Sequence, residues 1–239
     1  MIMLLTGGSG RLGLELQKLV KGIIAPSREE LDISKEFSIS NSIKLYQPEI
    51  IVHAAAYTDV ANAEINKEDC WQTNVDGTRN IVGLAREYKT PLIYISTDYV
   101  FYGDIGNYKE DDPLGPVRNY YSLSKLVAEE LVKTLDDYLI IRTSFRPSEW
   151  AYPKAFYDLY TSQDYVDIIA PEIALAIKNY DKIAHKIIHI AKERKSAYEL
   201  AKRRKKDVLR ASKTELELDL PEDISLNIDR WERIKGELK

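Results

Sequence analysis

The sequence predicts a doubly wound α/β fold, a parallel sheet with helices on both faces, and three observations lead there. Short apolar runs alternate with longer periodic segments through the first 145 residues. The runs are apolar throughout, without polar alternation, as in strands buried on both faces. The first run passes straight into a glycine-rich turn and then a helical pattern. With 239 residues, 44% of them hydrophobic, the chain can bury one large domain with a small appended lobe.

In order, "IMLLT" reads as the first strand and "RLGLELQKLVK" as the first helix. "GIIAPS" is the second strand, a helical stretch ends near "IKLYQP", and "EIIVHAAA" is the third strand. A helical segment from about Ala63 to Tyr88 precedes "PLIYIST", and residues 120 to 135 form the helix before "YLIIRTS". After Ser144 the alternation weakens. "PEIALAIKNY" reads as a helix with Pro171 in its first turn, "KIIHIA" as a strand, and "SAYELAKRRKK" as a helix capped by Ser196. The organisation expected is a nucleotide-binding domain over 1–145 and a small, partly interleaved substrate lobe over 146–239.

Bulk composition excludes several classes. Lys and Arg total 34 against 38 Asp and Glu, a balance that argues against general nucleic-acid binding. The single cysteine, Cys70, leaves no disulfide framework and suits a reducing cytoplasm. No apolar run approaches the roughly 20 residues that span a bilayer, and "MIMLLTGG" is too short for a signal sequence. The local excess of positive charge in "KERKSAYELAKRRKKDVLR" reads as a solvated helix face, with nucleic-acid contact as the alternative. His53, His185 and His189 have no metal-ligand spacing, so no metal site is expected.

The turn "TGGSGRLG" places Gly7, Gly10 and Gly13 at GxxGxxG spacing, wider at its first gap than GxGxxG. The physics is shared: a tight turn, close approach of backbone to pyrophosphate, and helix N–H groups facing the anion. This is the signature of an NAD(P)-binding Rossmann fold. An acidic residue at the tip of the second strand would bind a ribose 2′-hydroxyl, but Ser27 and Arg28 stand there, and Arg11 adds a second cation. Two cations without a carboxylate favour the 2′-phosphate of NADP(H), with NAD(H) as the alternative. Asp32 lies further on, within reach of an adenine edge.

Two pairs match YxxxK: Tyr121 with Lys125, and Tyr198 with Lys202. In a helix either pair is one turn apart, about 6 Å along the axis. Bringing a phenol from about 10 to about 7 needs roughly 4 kcal/mol, which one ammonium about 4 Å away at an effective dielectric near 20 supplies. Tyr121 would then be a general acid for carbonyl reduction. A second hydroxyl is available at the tip of "YISTDYVFYG", from Ser96 or Thr97, whereas "YELAK" has none nearby and reads as coincidence. Tyr120 has Ser124 rather than lysine at the fourth position and reads as a packing residue.

"TGGSGRLG", "VHAAAYTDVANAE", "NVDGTRNI", "ISTDYVF", "YYSLSK", "IIRTS", "IIHIAKERKSAYELAK" and "DISLNIDRW" follow one another in this order. In this the chain resembles the extended short-chain dehydrogenase/reductases, in their dTDP-4-dehydrorhamnose reductase-like, sugar nucleotide-binding branch. The resemblance implies an NADP(H)-preferring reductase of a keto-sugar nucleotide. Thr97, Tyr121 and Lys125 would be catalytic, Thr97 holding the carbonyl and Lys125 binding the nicotinamide ribose. Gly7, Gly10, Arg11, Leu12 and Gly13 would line the pyrophosphate, with Ser27 and Arg28 at the 2′ position and Asp32 and Ile33 by the adenine. Ala54, Ala55 and Ala56 would let the cofactor lie against backbone, and Asn74 matches a family asparagine. Thr97, Tyr99, Trp150 and the segment after "RTS" would face the sugar nucleotide. The family's "TDVDKAE" is "TDVANAE" here, and the region after "RTS" is short, with Trp150 several residues late. The resemblance keeps two other readings open, a non-catalytic cofactor-binding regulatory subunit and a sugar-nucleotide epimerase. It also implies a homodimer paired through the helices at 63–88 and 119–135.

Overall fold

The computed structural model describes residues 1–215 and 220–238. The strands are β1 (Met3–Thr6), β2 (Ile23–Ile24), β3 (Ile50–His53), β4 (Leu92–Thr97), β5 (Tyr138–Thr143), β6 (Phe145–Arg146), β7 (Lys154–Phe156), β8 (Tyr160–Thr161), β9 (Asp164–Tyr165), β10 (Ile187–Ile190), β11 (Lys195–Ser196) and β12 (Leu209–Ala211). The helices are α1 (Arg11–Leu19), α2 (Glu36–Tyr46), α3 (Val60–Ala63), α4 (Lys67–Trp71), α5 (Gly77–Tyr88), α6 (Tyr120–Val132), α7 (Val166–Lys178), α8 (Ala197–Lys202) and α9 (Asp229–Glu237). One sheet of six strands runs in the order β10-β5-β4-β3-β1-β2, with every pair parallel. The order reverses between β1 and β3, and a crevice opens there at the carboxyl ends of the strands.

The unbroken apolar runs follow from the two-residue strand period. Leu5, Val52, Ile93, Ile141 and Ile188 point to one face, where α1, α7 and α9 cover them. Their neighbours Leu4, Ile51, Leu92 and Ile140 point to the other, under α2, α5 and α6. The central strands are apolar on both faces until their carboxyl ends, where Thr6, His53, Ser96, Thr97, Arg142 and Thr143 bring buried polar side chains in toward the crevice.

Two sequence expectations need correction. The segment from Ala63 to Tyr88 is not one helix: α3 and α4 are separate, and a π-helical turn at Gln72–Asp76 joins α4 to α5. Pro171 lies inside α7, which starts at Val166, and Ile169 and Ala170 just before it also face the sheet core. The positive stretch of residues 192–210 is mostly exposed, as a solvated face would be, and part of it is paired: Lys192 with Glu172, Arg194 with Asp223, Arg203 with Asp164 and Glu193, and Arg204 with Asp167.

Beyond residue 145 the chain divides its work. Helix α7, strand β10 and helix α9 return to the large sheet, and Trp231 Nε1 ties α9 to α7 by donating to Glu172 Oε2 at 2.9 Å. Trp150, Ala155, Leu159, Tyr165, Leu200 and Val208 form a separate small core beside it. Ser196 caps α8 in a reciprocal capping box with Glu199.

Candidate active site

A cavity of about 470 Å³ lies over the reversal of the sheet, in the size range of small-molecule sites. Five strand ends build it: the glycine loop after β1, Pro26 and Arg28 after β2, Ala54, Ala55 and Ala56 after β3, Ile95, Ser96 and Thr97 of β4, and Thr143, Ser144 and Phe145 at the end of β5. Of the residues named from sequence, Gly7, Gly10, Arg11, Leu12, Gly13, Arg28, Asp32, Ile33, Tyr99, Tyr121 and Lys125 also line it.

The glycine loop is shaped by contact. Gly7 has φ +75°, and a Cβ there would lie 2.6 Å from Ala55 N. A Cβ on Gly13 would come within 2.3 Å of Gly7 O, so α1 seats directly on the turn. Gln17 Nε2 braces the turn by donating to the carbonyls of Gly8 at 2.8 Å and Gly13 at 3.2 Å. Gly10 occupies the N-cap of α1 without a side-chain cap, which leaves the first-turn N–H groups facing the cavity. Among the described residues, neither Arg11 nor Arg28 is paired with a carboxylate. An uncapped helix start, a backbone open to close approach and two unpaired cations fit a dinucleotide phosphate.

Asp32 is occupied locally. Its Oδ1 accepts from Ser34 N at 3.0 Å and Ser34 Oγ at 2.7 Å, and these bonds hold its carboxyl below the usual range. Ser27 stands outside the lining, its hydroxyl donating to Glu29 at 3.3 Å, because the strand tip turns Pro26 and Arg28 inward instead. Trp150 is also outside, in the small core, with the Arg146 guanidinium 4.6 Å above its ring. The segment after β5 turns Phe145 rather than Trp150 to the cavity.

Helix α6 begins at a fixed point. Asn119 Oδ1 caps it by accepting from Ser122 N at 2.8 Å, and Glu64 accepts from Tyr120 N at 2.6 Å. This sets Tyr121 and Lys125 one turn apart and buried, at 7% and 2% exposure. Lys125 Nζ donates to Ile95 O at 2.9 Å and lies 4.2 Å above the Tyr94 ring. Burial brings its ammonium down to about 7, against a smaller opposing pull from Glu129. The phenol of Tyr121 shifts upward, not downward, because burial dominates. The expectation of a lysine-lowered phenol is therefore corrected. Tyr121 holds its proton firmly at neutral pH, the state required of a proton donor. Tyr198 and Lys202 lie on α8, away from the cavity, and Lys202 donates to Lys206 O.

The sequence did not single out Gln72 and Thr73, which reach the cavity from the π-turn, or Thr143 and Ser144 at the tip of β5, whereas Phe145 belongs to the segment after "RTS" expected to face the substrate. The rule that ligands sit at strand carboxyl ends points to the β5 residues. Only the turn geometry reveals Gln72 and Thr73. Asn74 locks that turn in place. Its Oδ1 accepts from Tyr57 N at 2.8 Å, and its Nδ2 donates to Tyr57 O at 3.1 Å and to Ser124 Oγ at 2.8 Å on α6.

A family model described as the RmlD substrate binding domain matches residues 1–203. A dTDP-4-dehydrorhamnose reductase of Aggregatibacter actinomycetemcomitans is 32% identical over 200 residues, 80% of this chain and 67% of that protein. The spore coat polysaccharide biosynthesis protein SpsK of Bacillus subtilis is 37% identical over 62% of this chain, which spans 53% of its length. Among solved structures, a dTDP-4-dehydrorhamnose reductase of Bacillus anthracis in complex with NADP superposes with a TM-score of 0.85 at 26% identity, covering 99% of this chain and 92% of that one. A hypothetical dTDP-4-dehydrorhamnose reductase of Sulfolobus tokodaii gives 0.81 at 31% identity, covering 98% and 94%.

Proposed function

This chain belongs to the RmlD substrate binding domain family, and we propose that it is an NADPH-dependent reductase of a keto-sugar nucleotide. The observation that carries the reading is the convergence of Thr97, Tyr121 and Lys125 on the same cavity as the uncapped glycine loop. The relatives named as reductases, one of them holding NADP, support it.

Gly7, Gly10 and Gly13 with the start of α1 would hold the pyrophosphate, and Arg11 and Arg28 the 2′-phosphate. When bound, NADPH supplies the hydride for the carbonyl carbon. Tyr121 donates its proton to the carbonyl oxygen as that oxygen becomes a hydroxyl, and burial keeps the proton available. Lys125, anchored to Ile95 O, places a cation beside the reacting groups. The apolar wall of Phe145 and Ala54 limits water at the site.

We place the sugar between the β5 tip and the lobe built from residues 146–165 and 193–215, the protein in a reducing cytoplasm, and a homodimer contact on α5 and α6. Among the described residues no helix is long and apolar enough to cross a membrane.

The test is NADPH consumption with a dTDP-4-keto-6-deoxyhexose. Turnover faster with NADPH than with NADH, lost at least a hundredfold in Tyr121→Phe, is expected. NADPH binding without turnover of any keto-sugar nucleotide would mark a cofactor-binding regulatory subunit instead.

A further inference from the structure

Thr97 has one hydroxyl hydrogen, and in the structure that hydrogen is committed. It points at Asp98 Oδ1, 3.0 Å away, while the backbone N–H of Tyr99 donates to Thr97 Oγ1 at 3.2 Å. In this arrangement Thr97 offers the cleft only lone pairs and has nothing to donate to a carbonyl oxygen. Asp98 is fully buried, and its second oxygen, Oδ2, has no hydrogen-bond partner among the described residues. An ionised carboxylate with an unsolvated, unbonded oxygen is costly, and the neutral acid costs less.

We propose that Asp98 is a positioning residue of the reduction: carrying a proton on the oxygen that faces Thr97, it donates to Thr97 Oγ1 and turns the Thr97 hydroxyl outward, as a donor to the substrate carbonyl. This rests on the reductase reading. No proton is consumed at Asp98; the acid keeps its hydrogen through the cycle and Tyr121 supplies the one that enters product.

The groups facing Asp98 set how readily it holds that proton. The Arg146 guanidinium from β6 and the Ser144 hydroxyl from the end of β5 favour the ionised form. Tyr99, next along the chain, and Tyr121 from α6 are neutral and burdened by an ionised Asp98. Burial outweighs these and pushes the carboxyl up to about 6, so both forms are accessible near neutrality.

The experiment uses the full chain with NADPH and a dTDP-4-keto-6-deoxyhexose, measuring kcat/KM from pH 5 to 9. The wild type should lose activity tenfold per pH unit above the Asp98 ionisation. Asp98→Asn, whose amide donates to Thr97 at every pH, should keep the low-pH rate within about threefold and lack that limb, while Asp98→Ala should fall at least tenfold at all pH values. A limb unchanged in Asp98→Asn, with turnover present, overturns the proposal. A wild type that binds NADPH but turns over nothing at any pH instead removes the reductase reading. Carboxyl ¹³C NMR of the NADP-loaded protein decides independently of turnover: Asp98 should titrate well above ordinary aspartates and move on Thr97→Val. An ordinary, unmoved titration overturns the coupling.

Discussion

At the residue scale the glycines separate cleanly by their surroundings. Gly13 and Gly83 both sit in helices, yet a Cβ on Gly13 meets Gly7 O at 2.3 Å and Gly8 Cα at 2.7 Å, while one on Gly83 meets nothing within 4 Å. Gly13→Ala must therefore push α1 off the phosphate turn, and NADPH affinity should fall at least tenfold in a fluorescence titration. Gly83→Ala removes backbone freedom from the unfolded chain at no steric cost and should raise stability by roughly 0.5–1 kcal/mol, read by thermal unfolding. The spacing of Gly7, Gly10 and Gly13 was legible in sequence because Gly10 and Gly13 answer to the turn itself, although Gly7 also answers to the backbone of Ala54 and Ala55 across the sheet. The direction of the Tyr121 shift was not, because it depends on how completely the surrounding elements exclude water. Asp98 was visible only as the residue after Thr97; that one of its oxygens is buried without a partner is a property of the assembled site.

At the element scale, strands and most helices followed from apolar period, since every apolar residue of β1, β3, β4 and β5 has a core on its own side. The π-turn at Gln72–Asp76 did not, because its cause is a long-range bond. Asn74 reaches across to both backbone groups of Tyr57, and the local widening sets Gln72 and Thr73 toward the cavity. Asn74→Ala removes three hydrogen bonds to Tyr57 and Ser124 and leaves their partners partly buried. A loss of about 1–3 kcal/mol is expected, seen as a fall in Tm of several degrees. Asn74→Asp keeps the acceptor for Tyr57 N but not the donors, so its Tm should fall between the two. Equal Tm values for wild type and Asn74→Ala would show that the π-turn holds itself without this clamp.

At the scale of the whole molecule, two buried histidines join distant segments, and both are neutral in the folded state. His53 Nδ1 accepts from Thr6 Oγ1 at 2.7 Å and its Nε2 donates to Thr78 Oγ1 at 3.0 Å, a tautomer fixed because Thr78 passes its own hydrogen to Asn74 O at 2.6 Å. Thr6 in turn accepts from Ala55 N at 3.2 Å, so one hydrogen-bond chain links β1, the end of β3 and the π-turn under the cavity. His189 lies between Arg142 of β5 and the Asn227 carbonyl, where the last part of the chain returns to the sheet. Burial holds both imidazoles at about 3, with Lys125 adding to the effect on His53 and Arg142 on His189. A histidine with a lowered folded value is protonated first in the unfolded chain, so stability is lost as pH falls from about 6.5 toward 3. Two such groups give a slope of up to about 2.7 kcal/mol per pH unit. Asp98 works against them: its raised value means the folded protein holds a proton that the unfolded chain has released, and its contribution to stability is present at low pH and lost as pH rises through about 6. Asp98→Asn removes this opposing contribution. Between pH 4 and 6 its unfolding free energy, from denaturant titrations followed by circular dichroism, should fall more steeply with acid than that of the wild type. A slope equal to the wild type's would mean that Asp98 is ionised in the folded protein, and that the Thr97 hydrogen stays turned away from the cleft.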